Sequence, residues 1–180
     1  TIKIGADGME EELRMKLLQV GEEFKKTEIP LWDGLPAIEL YMDQVIILLN
    51  QYLGMIQDEN GDSEAITKNM INNYVKMKAV PAPVKKKYSR SHIAYLILVC
   101  LMKQVFSIAM IKNILPLPDV QDEEEIKKIY NSFVNNLYEA AAADIDKYSS
   151  YDETELENYV MKLSAEAIVL KTMAEKIKRN

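Results

Sequence analysis

An all-α protein is predicted by three observations. Apolar residues recur at helical spacing along most of the chain, no alternating strand pattern of useful length occurs, and glycine is scarce at six residues in 180. The exception to be expected is a small hairpin around the Lys85–Lys87 turn.

Each element follows from local chemistry. Thr1 to Gly8 is polar and aperiodic, and is set aside as a leader or cloning remnant, residues 1–8. Residues 9–34 hold a charged helix, Glu10 to Lys26, with Leu13, Leu17, Leu18 and Phe24 on one side. A short extended segment follows between Pro30 and Pro36, with Trp32 packing down as its anchor. From Ile38 the apolar positions 38, 41, 42, 45, 48, 49, 52 and 53 form a helical stripe, so Ile38 to Leu53 reads as an amphipathic helix stopped by Gly54. Gln57 to Ser63 is a polar loop. Thr67 then caps a helix to about Lys78, with Met70, Ile71, Tyr74 and Met77 inward, and Pro81-Ala82-Pro83 ends it. Ser89 caps the next helix, whose run Ile93 to Met102 is apolar all round and must be the central buried element. Ser107 caps a short helix through Ile108, Ile111 and Leu115, and Pro116 and Pro118 close the region, 35–118.

Residues 119–180 read as a long helical hairpin. Asp122 caps a helix from Glu123 to about Tyr148, with Ile126, Ile129, Tyr130, Phe133, Leu137, Ala140 and Ala141 on one face. The second helix, Glu153 to Lys178, spaces Leu156, Val160, Leu163, Ala167, Leu170, Ala174 and Ile177 at alternating four- and three-residue steps. That heptad seam suits packing on a long partner helix, either 123–148 of the same chain or a second copy.

Composition narrows the function. One Cys excludes a disulfide framework and a Cys-rich zinc site, and one His excludes motifs that need two. No signal peptide is expected, and Ile93 to Met102 is too short to span a bilayer, so a cytoplasmic protein is expected. Cys100 reads as a buried structural thiol. No phosphate loop, dinucleotide fingerprint or nucleophile elbow occurs, so no enzyme, cofactor or metal is expected.

Charge is segmented. Residues 1–60 carry 5 basic and 12 acidic side chains, residues 61–115 carry 9 and 2, and residues 116–180 carry 8 and 14. Composition alone favours a solvated face, but the central basic block is where a polyanion would bind. Within it, the 67–78 helix places Lys68, Asn69, Asn72, Asn73 and Lys76 outside its apolar stripe, a set able to read base edges and reach phosphates. The turn with Lys85, Lys86 and Lys87, and Arg90 beyond it, would grip the adjacent backbone. Tyr74 and Tyr88 are suited either to phosphate contact or to packing.

The order of these elements resembles the MerR-type winged helix-turn-helix. The run Ile66-Thr67-Lys68 through Tyr74 to Pro81-Ala82-Pro83 is similar to its recognition helix and lead-in to the wing. Lys87-Tyr88-Ser89-Arg90 is similar to its step into the third helix, and Phe106-Ser107-Ile108 with Ile111 and Leu115 to its ending. Leu35 to Leu115 resembles more closely the uncharacterised Gram-positive domain-of-unknown-function family 1836, through Leu35-Pro36, Glu39-Leu40-Tyr41-Met42-Asp43-Gln44 and the Thr67-Lys68 to Lys76 core. The resemblance implies a DNA-binding transcriptional regulator. Its expected site is Thr67, Lys68, Asn69, Asn72, Asn73, Lys76, Lys85, Lys86, Lys87, Tyr88 and Arg90 on double-stranded DNA. The C-terminal helices would serve homodimerisation or an effector not specified by the sequence. The competing expectation is an all-α protein-interaction module that binds no DNA.

Overall fold

The structure is a computed structural model that describes residues 6–26, 28–54, 66–115, 122–148 and 153–178. In chain order its elements are α1 (Ala6–Lys26), a 3-10 turn (Trp32–Gly34), β1 (Leu40–Tyr41), α2 (Met42–Tyr52), α3 (Lys68–Lys76), β2 (Lys87–Tyr88), α4 (Arg90–Met102), α5 (Ile108–Ile114), α6 (Glu123–Tyr148) and α7 (Glu153–Lys178). The protein is mainly helical, as expected. Residues 27–135 form one compact unit, and residues 1–26 with 136–177 form another. The first therefore takes in the Pro30–Pro36 segment and the start of α6 along with the 35–115 region.

The 27–135 unit is organised by α4. Every residue from Ser91 to Met102 is buried, because a helix with no polar face has no side to give to water. It packs on α2 and β2. Val45 and Leu49 of α2, Leu53 capping its end, Ile71 and Tyr74 of α3, Ile108 and Ile111 of α5, and Ile126, Tyr130 and Val134 of α6 are also buried in this unit. Ser107 Oγ accepts the Met110 N–H at 3.2 Å, and Asp122 Oδ1 accepts the Glu125 N–H at 3.1 Å, so both expected caps are made.

Trp32 is the expected anchor, only 3% exposed. Its backbone N–H donates to Asn131 Oδ1 at 2.8 Å, the Tyr130 hydroxyl donates to the Pro30 carbonyl at 2.7 Å, and Lys127 pairs with Asp33 at 3.0 Å. Three α6 side chains thus hold the segment between the prolines. It is not extended throughout, as expected from the sequence, but turns at Trp32–Gly34, where the Gly34 N–H bonds the Leu31 carbonyl at 2.9 Å; Leu31 and Leu35 on either side are extended.

The expected helix from Ile38 begins only at Met42. Leu40 and Tyr41 instead form β1, antiparallel to β2 with Leu40 opposite Tyr88 and Tyr41 opposite Lys87. Pairing across 46 or more residues outweighs a locally helical pattern, and the Tyr41 N–H donates to Gln44 Oε1 at 2.9 Å as the helix starts. The polar loop at Gln57–Ser63 and the prolines Pro116 and Pro118 lie outside the described residues.

In the other unit, α1 starts at Ala6, so part of the expected 1–8 leader is helical. Helix α7 has the expected bounds, Glu153–Lys178. Tyr159 is buried and Leu163 and Ala174 are half-buried, whereas Val160, Ala167, Leu170 and Ile177 of the seam are exposed. Leu156 lies outside the residues whose side chains are described. Among the described residues no helix is long and apolar enough to cross a membrane.

Candidate functional site

Helix α3 opens on Thr67, whose Oγ1 accepts the Met70 N–H at 3.3 Å. It rests on Ile71 and Tyr74, both buried. Asn69, Asn72, Asn73 and Lys76 follow at helical intervals on the opposite face, with Lys68 at its edge, and all five are exposed. Among the described residues none of the five side chains has a hydrogen bond or ion pair. Met77, expected inward, is exposed. Met77 caps the end of the helix.

The helix stops before the prolines. Lys78 takes a left-handed φ of 55°, its N–H bonds the Val75 carbonyl at 3.0 Å, and the Ala79 N–H bonds the Tyr74 carbonyl at 2.9 Å. This is a Schellman ending with lysine where glycine is usual.

The start of α3 is fixed by a residue the sequence reading did not single out. Asn50 of α2 donates through Nδ2 to the Ile66 carbonyl at 3.0 Å and accepts the Ile66 N–H on Oδ1 at 3.0 Å. A second Nδ2 bond reaches the Ile46 carbonyl at 2.9 Å. Ile66 is fully buried, so its two backbone groups have no water to turn to, and the amide serves them as a strand would. Asn50 lies outside the apolar stripe, where a polar residue is ordinary, so the sequence carried no signal for this role.

After Pro83 the chain makes the expected hairpin. Val84 and Lys87 exchange both backbone bonds, at 3.1 and 2.9 Å. Between them Lys85 and Lys86 have φ of 49° and 66°. Two consecutive positive values define a type I′ turn, whose twist suits a hairpin and whose usual residues are Asn-Gly. Lysine at both positions is strained, and both side chains are exposed with no partner among the described residues.

Four expected contact residues are differently employed. Tyr88 is 2% exposed, pressed inward by its pairing with Leu40, edge-on to His92 at 5.8 Å; burial pushes its phenol pKa up. It is a packing residue, not a phosphate contact. Arg90 lays its guanidinium over the Trp32 ring at 5.7 Å and directs Nε–H to the Pro36 carbonyl at 3.5 Å, so it serves the fold. Lys87 pairs with Glu39 at 3.6 Å and lies over the Tyr41 ring at 5.7 Å. Thr67 is spent on its cap. Lys68, Asn69, Asn72, Asn73, Lys76, Lys85 and Lys86 remain as the available set.

His92 ties this region together. Its Nδ1 accepts the Ser89 N–H at 3.1 Å, with Ser89 Oγ at 2.7 Å, and Nε2–H donates to the Ala82 carbonyl at 3.1 Å. These bonds specify the neutral ring with its proton on Nε2. Burial holds its pKa below the ordinary histidine value. Cys100 is buried within α4, and burial pushes its thiol up to about 12. Such a thiol stays protonated and unreactive. Among the described residues no group of three or more His, Cys, Asp or Glu could hold a metal ion.

Neither the curated proteins nor the solved structures contain a match to this chain. A family model does match, over residues 30–133, and its span nearly coincides with the compact unit 27–135. On that match the chain belongs to the family described as Domain of unknown function (DUF1836).

Proposed function

We propose that the protein is a sequence-specific DNA-binding transcriptional regulator, built on a winged helix-turn-helix plan similar to the MerR type. Helix α3 enters the major groove, and Lys85 and Lys86 at the hairpin tip hold phosphates. The observation that carries this reading is the set of five exposed amide and ammonium groups on α3, none committed to the protein itself. Asparagine pairs with adenine through two hydrogen bonds, and lysine reaches guanine or phosphate. The element order supports it too: a strand, two helices, a hairpin whose second arm pairs back onto that strand, then a buried third helix. The net charge of −6 does not oppose close approach, because charges are screened beyond about 8 Å at physiological salt and the available lysines are local.

Selection from random duplex DNA, at low and at physiological salt, tests the proposal. Enrichment of a motif is the expected result. Retention at low salt without enrichment means electrostatic attraction alone, and no retention by folded protein overturns the reading.

A second reading, an all-α protein-interaction module, is favoured by Ile38 and Ile47, which are 70% and 71% exposed in the same unit. Under it, Ile47→Glu would abolish partner capture and Lys85→Ala would not. The DNA reading expects the reverse for DNA affinity.

A further inference from the structure

Helix α7 leaves an ordered apolar seam uncovered in a single chain. Leu170 and Ile177 are 66% and 75% exposed, Val160 and Ala167 are also exposed, and Leu163 and Ala174 are half-buried. With Val160, Ala167 and Ala174 at one core position of the heptad, the other core position holds Leu163, Leu170 and Ile177. Val160 at the first core position with Leu163 and Leu170 at the second follows the preference of two-stranded pairs for a β-branched residue at one and leucine at the other.

The flanks decide the partner. Glu166 sits immediately before one core position and Lys171 immediately after the other, the places where facing helices exchange charges. In a parallel, in-register pair, Glu166 of one chain meets Lys171 of the other, twice by symmetry. In an antiparallel pair with the exposed seam in full overlap, Glu166 would face Met173 and Lys171 would face Ser164. Both charged side chains are exposed and without an ion pair among the described residues. We propose that residues 160–177 of α7 dock on the same segment of a second copy of this chain, parallel and in register.

Met161, Ile168 and Val169 are exposed outside this seam and supply an internal control. This inference stands on α7 alone and does not depend on DNA binding.

Sedimentation equilibrium of the full chain tests it. The wild-type protein is expected to be a concentration-dependent dimer. Leu170→Glu with Ile177→Glu should be a monomer of unchanged helical circular dichroism, since both side chains are solvent-exposed in one chain. Glu166→Lys should raise the dimer dissociation constant about tenfold, two attractions becoming two repulsions. Adding Lys171→Glu should restore it. A wild-type monomer at every concentration overturns the proposal. So does a charge swap that fails to rescue, or a dimer dissociated by Ile168→Glu and indifferent to Leu170→Glu. None of these outcomes touches the selection experiment, which is scored on DNA alone.

Discussion

Replacing Lys85-Lys86 by Asn-Gly should make the protein more stable and, on the DNA-binding reading proposed above, weaken its grip on DNA at once. Both lysines hold positive φ, 49° and 66°. A left-handed L-residue is disfavoured by roughly 1–2 kcal/mol. Glycine at 86 removes that strain but returns about 0.5–1 kcal/mol through the freedom of the unfolded chain. Asparagine at 85 tolerates the conformation and relieves part of its share. The sum is a gain of about 1–2 kcal/mol, or several degrees in melting temperature for a unit of this size. Trp32 is the single tryptophan and is buried in the 27–135 unit, so its fluorescence during urea unfolding reports on that unit. On DNA, each phosphate contact contributes about 0.9 to the slope of log affinity against log salt. Losing two lysines should flatten it by about 2 units. Lys87 would add little, being engaged with Glu39 and Tyr41. An unchanged or lower urea midpoint would refute the strain argument. An unchanged salt slope would refute the phosphate assignment, whatever happens to stability.

Three further outcomes are expected, each read from the same urea midpoint. Lys78→Gly should stabilise by about 0.5–1 kcal/mol by giving the Schellman ending its usual residue; a loss would mean that the lysine side chain matters there. Asn50→Ala should destabilise by about 2–4 kcal/mol, since the N–H and carbonyl of fully buried Ile66 lose their partners together. An effect below about 0.5 kcal/mol would sink the clamp. His92 has a folded-state pKa below its unfolded value of about 6.5, so below that pH the unfolded chain takes up the proton first. Its contribution is complete above about pH 6.5 and is lost as the pH falls toward the depressed folded value. His92→Gln should shrink the difference in stability between about pH 7.5 and pH 5.5, and an identical difference in wild type and variant would exclude His92 as its source.

Features written in neighbouring residues were legible before the fold was known. The all-buried α4, the Thr67, Ser107 and Asp122 caps and the bounds of α7 each rest on spacing or on a cap within four residues. Trp32 was legible as an anchor from its residue type, but its partners on α6 were not. Partnerships made across the chain were not legible. Ile38–Tyr41 has helical spacing, and only its distant partner Tyr88 turns part of it into strand. That pairing also takes Tyr88 out of the site, while Arg90 is diverted to Trp32 and Pro36, more than fifty residues earlier. The exposed residues of α3 could be identified because amphipathicity is a local property. What holds α3 in place could not, because Asn50 acts sixteen residues away, through backbone atoms that carry no sequence identity.

The Asn50 clamp also has a consequence for how this domain can vary. The chain leaves α2 at Gly54 and is captured again at Ile66, against the helix it has just left. One side chain on α2 thus carries the entry of α3: the two helices cannot shift in register without breaking both bonds to Ile66, so a change at position 50 reaches α3 without touching it.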